Sequence, residues 1–369
     1  KENPRCALVL TGCFPQAFKK EAEKIHEADI ITGASNKNEI PALVDEFFKN
    51  KMRIIRIPDH SRQEKFESMK NEKYPDKTRA YVKIQDGCNQ YCSYCIIPYA
   101  RGFVRSKPLD ELVFEVELLS SSGHEEIVLV GINLSCYGID IESSLIEAIE
   151  AVCKIDGIKR VRLGSLEPEL ISDDDIKRMA AQKKLCPQFH LSLQSGCDRT
   201  LREMNRKYTS AEYFELIRKL KAAFDNCSIT TDVMVGFPGE NDDDFKASLE
   251  FVKKCDFSKV HVFPYSPREG TAAAKRTDQL DARIKENRAH KMNEIAEASQ
   301  KKFLESQIGK AVEVLFERSI SDGFFKGYSS NYTLVKINAE KCGIDLRKKI
   351  FCVKILKCKN DCCIGEVML

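Results

Sequence analysis

Cys88, Cys92 and Cys95 stand in the run G-C-N-Q-Y-C-S-Y-C, a C-x3-C-x2-C triplet directly after the apolar-alternating residues 80–84. Three thiolates so close in sequence point to an iron–sulfur cluster with one corner unfilled. A cubane [4Fe–4S] cluster needs a ligand on each of its irons, so three cysteines leave one iron open. An open iron can take a substrate or cofactor, as the free position of a catalytic zinc does. The competing reading is a structural zinc, or a chance grouping in a cysteine-rich chain. Structural zinc more often pairs C-x2-C with a second such pair, and none lies nearby.

The elements that must position this triplet sit in a chain of 369 residues, enough for two or three domains. With 43% hydrophobic and 31% charged residues it can bury real cores and does not read as disordered. Sixteen cysteines in a chain this long, with no signal peptide evident, argue against a secreted disulfide scaffold and fit a reducing cytoplasm. No apolar run approaches the roughly 18 residues of a membrane span, so no membrane partner is expected. The net charge of +3, from 59 basic and 56 acidic residues, is too balanced to announce nucleic-acid binding. Any RNA contact must come from local patches. The chain opens on Lys1 and runs quickly into T-G-C-F-P-Q, which reads as the interior of a domain begun upstream.

Residues 1–70 read as the carboxyl half of a small α/β domain, with strands at 5–10 and 28–32 and helices at 16–28 and 40–49. The polar residues 59–78 read as connecting chain, with the linker proper at 71–78. From residue 79 strand and helix patterns alternate. Strands are expected at 80–84, 126–130, 159–163, 188–193, 228–235 and 258–263. Helices are expected at 109–120, 143–151, 174–181, 211–224 and 242–253. Six β/α units are too few for an eight-fold barrel, so the fold class is α/β, a partial (β/α)6 barrel over 79–304. Chemistry in such sheets collects after the carboxyl ends of strands, where the triplet lies. A long helix is expected at 278–307. The segment 305–369 then reads as short strands closing a small β-barrel of the oligonucleotide-binding type. It carries 11 Lys/Arg against 8 Asp/Glu with interleaved aromatics. Phe325, Tyr328 and Tyr332 are therefore candidates for stacking on single-stranded RNA, or simply for filling the barrel.

With these pieces in place the chain resembles the radical S-adenosylmethionine (SAM) methylthiotransferases over its whole length. The motifs are I-P-Y-A-R-G-F-V-R-S at 97–106, V-G-I-N-L-S-C-Y-G at 130–138, R-L-G-S-L-E-P at 162–168, H-L-S-L-Q-S-G at 190–196, M-N-R-K-Y-T at 204–209 and D-V-M-V-G-F-P-G-E at 232–240. The resemblance implies a radical-SAM core, a carboxy-terminal TRAM domain that binds RNA, and two [4Fe–4S] clusters. SAM would bind the open iron of the Cys88–Cys92–Cys95 cluster, with Tyr94 near its adenine. Cys13 matches the third ligand of the second cluster, whose other two ligands are expected upstream of Lys1. Y-A-R-G, H-V-F-P-Y-S-P-R-E-G-T (261–271) and G-Y-S-S-N-Y (327–332) look most like the enzymes acting on N6-threonylcarbamoyladenosine at tRNA position 37. Sister classes act on isopentenyl-adenosine or on a ribosomal-protein aspartate, and a non-catalytic iron–sulfur RNA-binding protein is the alternative from another class. The resemblance also implies a tRNA anticodon stem-loop, a sulfur donor and a flavodoxin- or ferredoxin-type electron donor as partners.

The same resemblance makes residues after the strands candidates for holding SAM. Asn133 and Ser135 follow the second strand, and Ser165 and Glu167 the third. Gln194 and Ser195 end the fourth; Arg206 offers a planar fork for a carboxylate, and Gly236 permits close backbone approach. Each has a plainer local reading as a helix cap or turn residue. Arg101 and Arg105 are candidates for RNA phosphate or for ordering the cluster loop. The cysteines at 352, 358, 362 and 363 crowd together but fit no metal template.

Overall fold

The structure, a computed structural model, describes residues 3, 6–68 and 77–368. Residues 71–76 of the expected linker lie outside the described residues. The first unit is a parallel sheet of β1 (Val9–Leu10), β2 (Ile30–Thr32) and β3 (Ile54–Arg56) in that order. Helix Ile40–Asn50 packs Leu43 and Phe47 on Ile30, while Ala22 and Ala28 cover Ile31. The helix expected at 16–28 is instead two short pieces, Cys13–Ala17 and Lys19–Glu23, broken at Phe18. It starts early because Gly12 turns the chain at φ 108° and Pro15 sits in the first turn, where a missing N–H costs nothing. Strand β3 was too short to give a periodic signal.

The core contains β4 (Ala80–Lys83), the short ribbon β5 (Gln85–Asp86) with β6 (Arg105–Ser106), β7 (Glu126–Val130), β8 (Arg160–Leu163), β9 (Ser165–Leu166), β10 (Gln188–Leu191), β11 (Ser228–Val235) and β12 (Lys259–Pro264). All six expected strands are present and parallel, in two sheets ordered β4-β7-β8 and β9-β10-β11-β12. The third strand is split at Gly164, whose N–H donates to Leu129 O at 2.8 Å. Its first half pairs with β7 and its second half with β10, so the split joins the sheets into one partial barrel. Alternation sends Val82, Ile127, Val161, Phe189, Ile229 and Val260 to the helices as one continuous core. The opposite positions line the inner face.

The helices start where their caps dictate. Ser172 with Asp175, Thr209 with Glu212, and Asn241 with Asp244 form reciprocal capping boxes. Helix Ser210–Ala223 buries Tyr213, Leu216, Ile217 and Leu220, each worth roughly 1.5–3 kcal/mol of transfer free energy. Helix Ala282–Glu305 runs alongside β12. Among the described residues no helix is long and apolar enough to cross a membrane.

The last unit is a closed barrel of β13 (Ala311–Ser321), β14 (Phe324–Ser329), β15 (Leu334–Asn338), β16 (Ile350–Lys359) and β17 (Cys362–Val367), ordered β13-β14-β15-β17-β16. It docks on the amino-terminal end of the core strands. There Glu126 is wholly buried and faces Arg79 at 3.0 Å, Arg162 at 3.2 Å and Arg160 at 3.6 Å. Arg79 also pairs with Glu317 of β13 at 3.0 Å. Arg162 donates to the carbonyls of Ser329 and Ser330, and Arg160 to that of Tyr328. Burial alone would lift the Glu126 carboxyl, but Arg162, Arg79 and Arg160 outweigh it and hold it below the ordinary range.

Candidate active site

The cysteine loop leaves β5 through Gly87, whose φ of 74° and whose missing Cβ would otherwise meet Phe103 O at 1.8 Å; only glycine fits. Gln85 pins this exit, donating to Asp86 O at 2.8 Å and Gly87 O at 2.7 Å while accepting from Asn133 N at 2.7 Å. Cys88 N donates to Gly102 O at 3.0 Å, closing the loop at its far end. Each sulfur then meets a donor. Asn133 Nδ2 stands 3.7 Å from Cys88, Arg206 Nη1 3.4 Å from Cys92, and the N–H of Ile97 3.4 Å from Cys95. Such donors stabilise thiolates and tune a cluster.

The three sulfurs do not all lie within 4.8 Å of one another, as ligands of one small ion would. Asn133, whose Nδ2 reaches Cys88, keeps its buried Oδ1 without a partner. The donor set fits a cubane with one open iron better than a single zinc. Without metal, burial pushes the Cys95 thiol up to about 11, reinforced by Cys92 and Cys88, and raises Cys88 as well. Coordination reverses this by deprotonating a thiol outright.

Five of the expected SAM-site residues gather around this loop. Arg206 pairs with Glu167, donates to Ser192 O at 3.0 Å and to Tyr208 Oη at 3.0 Å, and reaches Cys92. Burial works against its charge, but Tyr208, Tyr94 and Glu167 outweigh it and hold the guanidinium protonated well above its ordinary value. Ser135 Oγ accepts from Glu167 N at 2.8 Å, and Asn133 reaches Cys88. Tyr94 packs beside Met204, Phe237 and Tyr265. The others stand apart. Ser165 is exposed. Gln194, at φ 65°, bonds through its backbone to Asp232 and Met234. Ser195 Oγ accepts from Cys197 N at 3.2 Å. Gly236 donates to Glu240 at 2.9 Å, and a Cβ there would strike Lys285.

Sequence reasoning missed Gln85, Tyr208 and the clamp that seats the loop on helix Asp198–Glu203. Ser93 N donates to Met204 O at 3.0 Å, Ser93 Oγ to Glu203 O at 2.8 Å, and Asn205 Nδ2 to Tyr91 O at 2.9 Å. The signal was present in M-N-R-K-Y-T, which contains Asn205 and Tyr208.

Arg101 and Arg105 order the loop and do not face solvent. Arg101 forks onto Asp86; Arg105, 6% exposed, pairs with Glu64 at 2.9 Å. The Arg105 guanidinium is thus unavailable to RNA phosphate. Glu64 belongs to the polar residues expected as connecting chain. Instead, residues 60–68 are strapped onto the core through Glu64, Arg62 over Phe103 and Ser68 on Glu111. Cys13 is exposed at the start of helix Cys13–Ala17, which packs on helix Ile97–Arg101. There it bonds Arg101 and helps raise its proton affinity, after burial, which opposes, and Asp86.

The barrel aromatics are arranged differently from the expectation. Phe325 is 5% exposed in the barrel interior against Phe316, so it has no face for a base. Tyr328 and Tyr332 stack on each other at 4.5 Å and lie under Arg79, with Arg162 4.6 Å above Tyr332. They take part in the docking contact, where Tyr332 stays 39% exposed. Cys358 and Cys363 approach to 3.4 Å across the β16–β17 pair, while Cys362 and Cys352 turn to Lys359 O and Met368. These four do not converge on one ion.

Comparison with known proteins agrees with this geometry. The Radical SAM superfamily profile matches residues 82–252. The threonylcarbamoyladenosine tRNA methylthiotransferase MtaB of Bacillus subtilis (strain 168) is 33% identical over 365 residues, covering 97% of this chain and 80% of that protein. The tRNA-2-methylthio-N(6)-dimethylallyladenosine synthase of Clostridium novyi (strain NT) is 37% identical over 379 residues, covering 100% of this chain and 82% of that one. Among solved structures, the cobalamin-dependent S-adenosylmethionine radical enzyme OxsB with aqua-cobalamin and S-adenosylmethionine bound superposes with a TM-score of 0.50. It is 10% identical and covers 79% of this chain and 43% of that one, a likeness of fold alone.

Proposed function

The chain belongs to the radical-SAM methylthiotransferases, and from that premise we propose that it adds a methylthio group to C2 of N6-threonylcarbamoyladenosine at position 37 of tRNA. The observation that carries this reading is the gathering of Cys88, Cys92, Cys95, Asn133, Glu167 and Arg206 at the carboxyl ends of the core strands. A [4Fe–4S] cluster held by the three cysteines, with SAM at its open iron, supplies radical hydrogen abstraction when bound. C2–H of adenine has no useful acidity, so proton transfer alone would not serve. The protein's own part is placement. Asn133, Arg206 and the Ile97 N–H orient and stabilise the sulfurs, while Glu167, fixed by Ser135 and Arg206, offers a carboxylate to SAM's amino or hydroxyl groups. Ser165, Gln194, Ser195 and Gly236 remain candidates for outer contacts to SAM.

Cys13 we assign as one ligand of a second [4Fe–4S] cluster carrying the sulfur to be transferred. Its place against helix Ile97–Arg101, adjoining the cysteine loop, supports that role. An outside sulfur donor and a flavodoxin- or ferredoxin-type electron donor complete the chemistry. The carboxy-terminal barrel would hold the anticodon stem-loop, since β16 presents Lys354, Lys357 and Lys359 to solvent for phosphate contact. Sixteen free thiols support a reducing cytoplasm.

A second reading, methylthiolation of N6-dimethylallyladenosine, is favoured by the Clostridium novyi relative at 37% identity. Anaerobically reconstituted protein, offered tRNA carrying either nucleoside at position 37, decides between them by mass spectrometry of the digested product. Methylthio product on threonylcarbamoyladenosine is the expected result. Product on dimethylallyladenosine alone would move the substrate to the second reading, and product on neither would overturn both.

A further inference from the structure

His190, Asp232 and His261 occupy adjacent strands β10, β11 and β12 on the inner face of the core sheet, opposite Phe189, Val233 and Val260, which face the helices. Register sets His190 beside Thr230 and Asp232 beside His261. One ligand atom from each of the three lies within 4.8 Å of the other two. His190 Nδ1 is 2.9 Å from Thr230 Oγ1. With that nitrogen donating, Nε2 keeps its lone pair and directs it at Asp232 Oδ2, 3.3 Å away. At that distance a proton or a metal ion can bridge the two atoms. Apart from that pair, no hydrogen bond among the described residues reaches the Asp232 carboxylate or the His261 ring, so three ligand atoms converge at one point.

We propose that His190, Asp232 and His261 bind a divalent transition-metal ion of the zinc class, at a site separate from the cysteine loop. Two imidazoles and one carboxylate are the donor set of zinc centres that keep an open position, and of facial-triad metal sites. Thr230 Oγ1, 2.9 Å from His190 Nδ1, would accept from that nitrogen once Nε2 ligates, as an outer-shell partner does. A cavity of about 330 Å³ adjoins two of the three ligands; His190, Thr230 and His261 line it, with Tyr328 and Tyr332 of the small barrel. A water held on the ion would have its pKa lowered toward neutrality, and an oxygen of a ligand in the cavity could replace it.

The test uses the full chain with its iron–sulfur cluster reconstituted, zinc chloride as the probe, and zinc K-edge X-ray absorption as the readout. Sulfur and nitrogen or oxygen ligation are distinguished there whatever the iron content. About one zinc per chain should survive desalting with a nitrogen and oxygen shell. His261→Gln and Asp232→Asn should abolish retention, and Thr230→Val should weaken binding roughly 10–100-fold, with iron content and circular dichroism unchanged. A sulfur-dominated shell, no retained zinc, or an N/O shell that survives all three substitutions would overturn the proposal. If either ligand variant misfolds, the Thr230→Val affinity decides alone. None of these outcomes bears on the methylthiolation reading.

Discussion

Arg206 and Glu167 are the pair on which the candidate active site turns, and a double-mutant cycle measures their coupling. Their side chains are 3% and 17% exposed, so each charge depends on the other. Arg206→Met leaves Glu167 buried without a cation, a loss of about 3–5 kcal/mol for a broken buried pair. Burial already lifts the Glu167 carboxyl above the ordinary range against the pull of Arg206. Without that pull it rises further, so the deficit of Arg206→Met should grow with rising pH, as ionisation of the stranded carboxyl is forced. Glu167→Gln leaves Arg206 its bonds to Ser192 O and Tyr208 Oη. The double variant should therefore be less destabilised than the sum of the singles by roughly 0.5–3 kcal/mol. Equilibrium urea unfolding of the four proteins, cluster-free and under argon, reads this directly. Arg206→Met should also make the reduction potential of the reconstituted cluster more negative, since Cys92 loses a hydrogen bond. Strict additivity, or a deficit independent of pH, would refute the pairing as the source of the stability.

Cys92→Ala should abolish 5′-deoxyadenosine formation; undiminished product would remove the cysteine loop from the chemistry. In protein that also carries the two further cluster cysteines, Cys13→Ala should cost iron and methylthio product while sparing 5′-deoxyadenosine, and full methylthiolation would reduce Cys13 to a turn residue. Asp86 has its pKa lowered from 3.8 to about 2, because bonds from Arg101 and Lys83 outweigh burial. Its stabilisation, on the order of 2 kcal/mol, is present above the unfolded value and lost as pH falls through the folded one. Asp86→Asn should then be destabilising at neutral pH but match wild type in acid, by urea midpoints, and a constant gap would contradict the assignment. Glu126→Gln should cost about 3–5 kcal/mol in thermal unfolding by stranding Arg79, Arg160 and Arg162; a wild-type midpoint would show that solvent reaches them.

What the sequence revealed was local. Apolar runs at 126–130 and 228–235 located strands, and the patterns between them located helices at 211–224 and 242–253, because both signals lie within a few residues. The cysteine triplet likewise announced itself by spacing, and the M-N-R-K-Y-T run by the family resemblance. Partners distant in the chain were not legible. Nothing near Arg105 indicates that Glu64 will neutralise it, and nothing near Glu126 foretells three arginines, since cross-strand register and docking decide both. Phe325 was misread for a related reason: composition shows aromatics beside lysines but not which side of the barrel wall each occupies. The split at Gly164 was hidden because both halves remain extended.

The lock between Tyr328, Tyr332 and the three core arginines bears on how interchangeable the parts of such proteins are. The small barrel joins the core through arginines that share Glu126 within the core and are completed by the barrel's carbonyls, Glu317 and paired rings. A foreign barrel grafted after Glu305 would inherit Arg79, Arg160 and Arg162 with no matching acceptors. Chimeras meant to exchange nucleic-acid preference must therefore carry both sides of this contact together, or leave stranded charge at the seam.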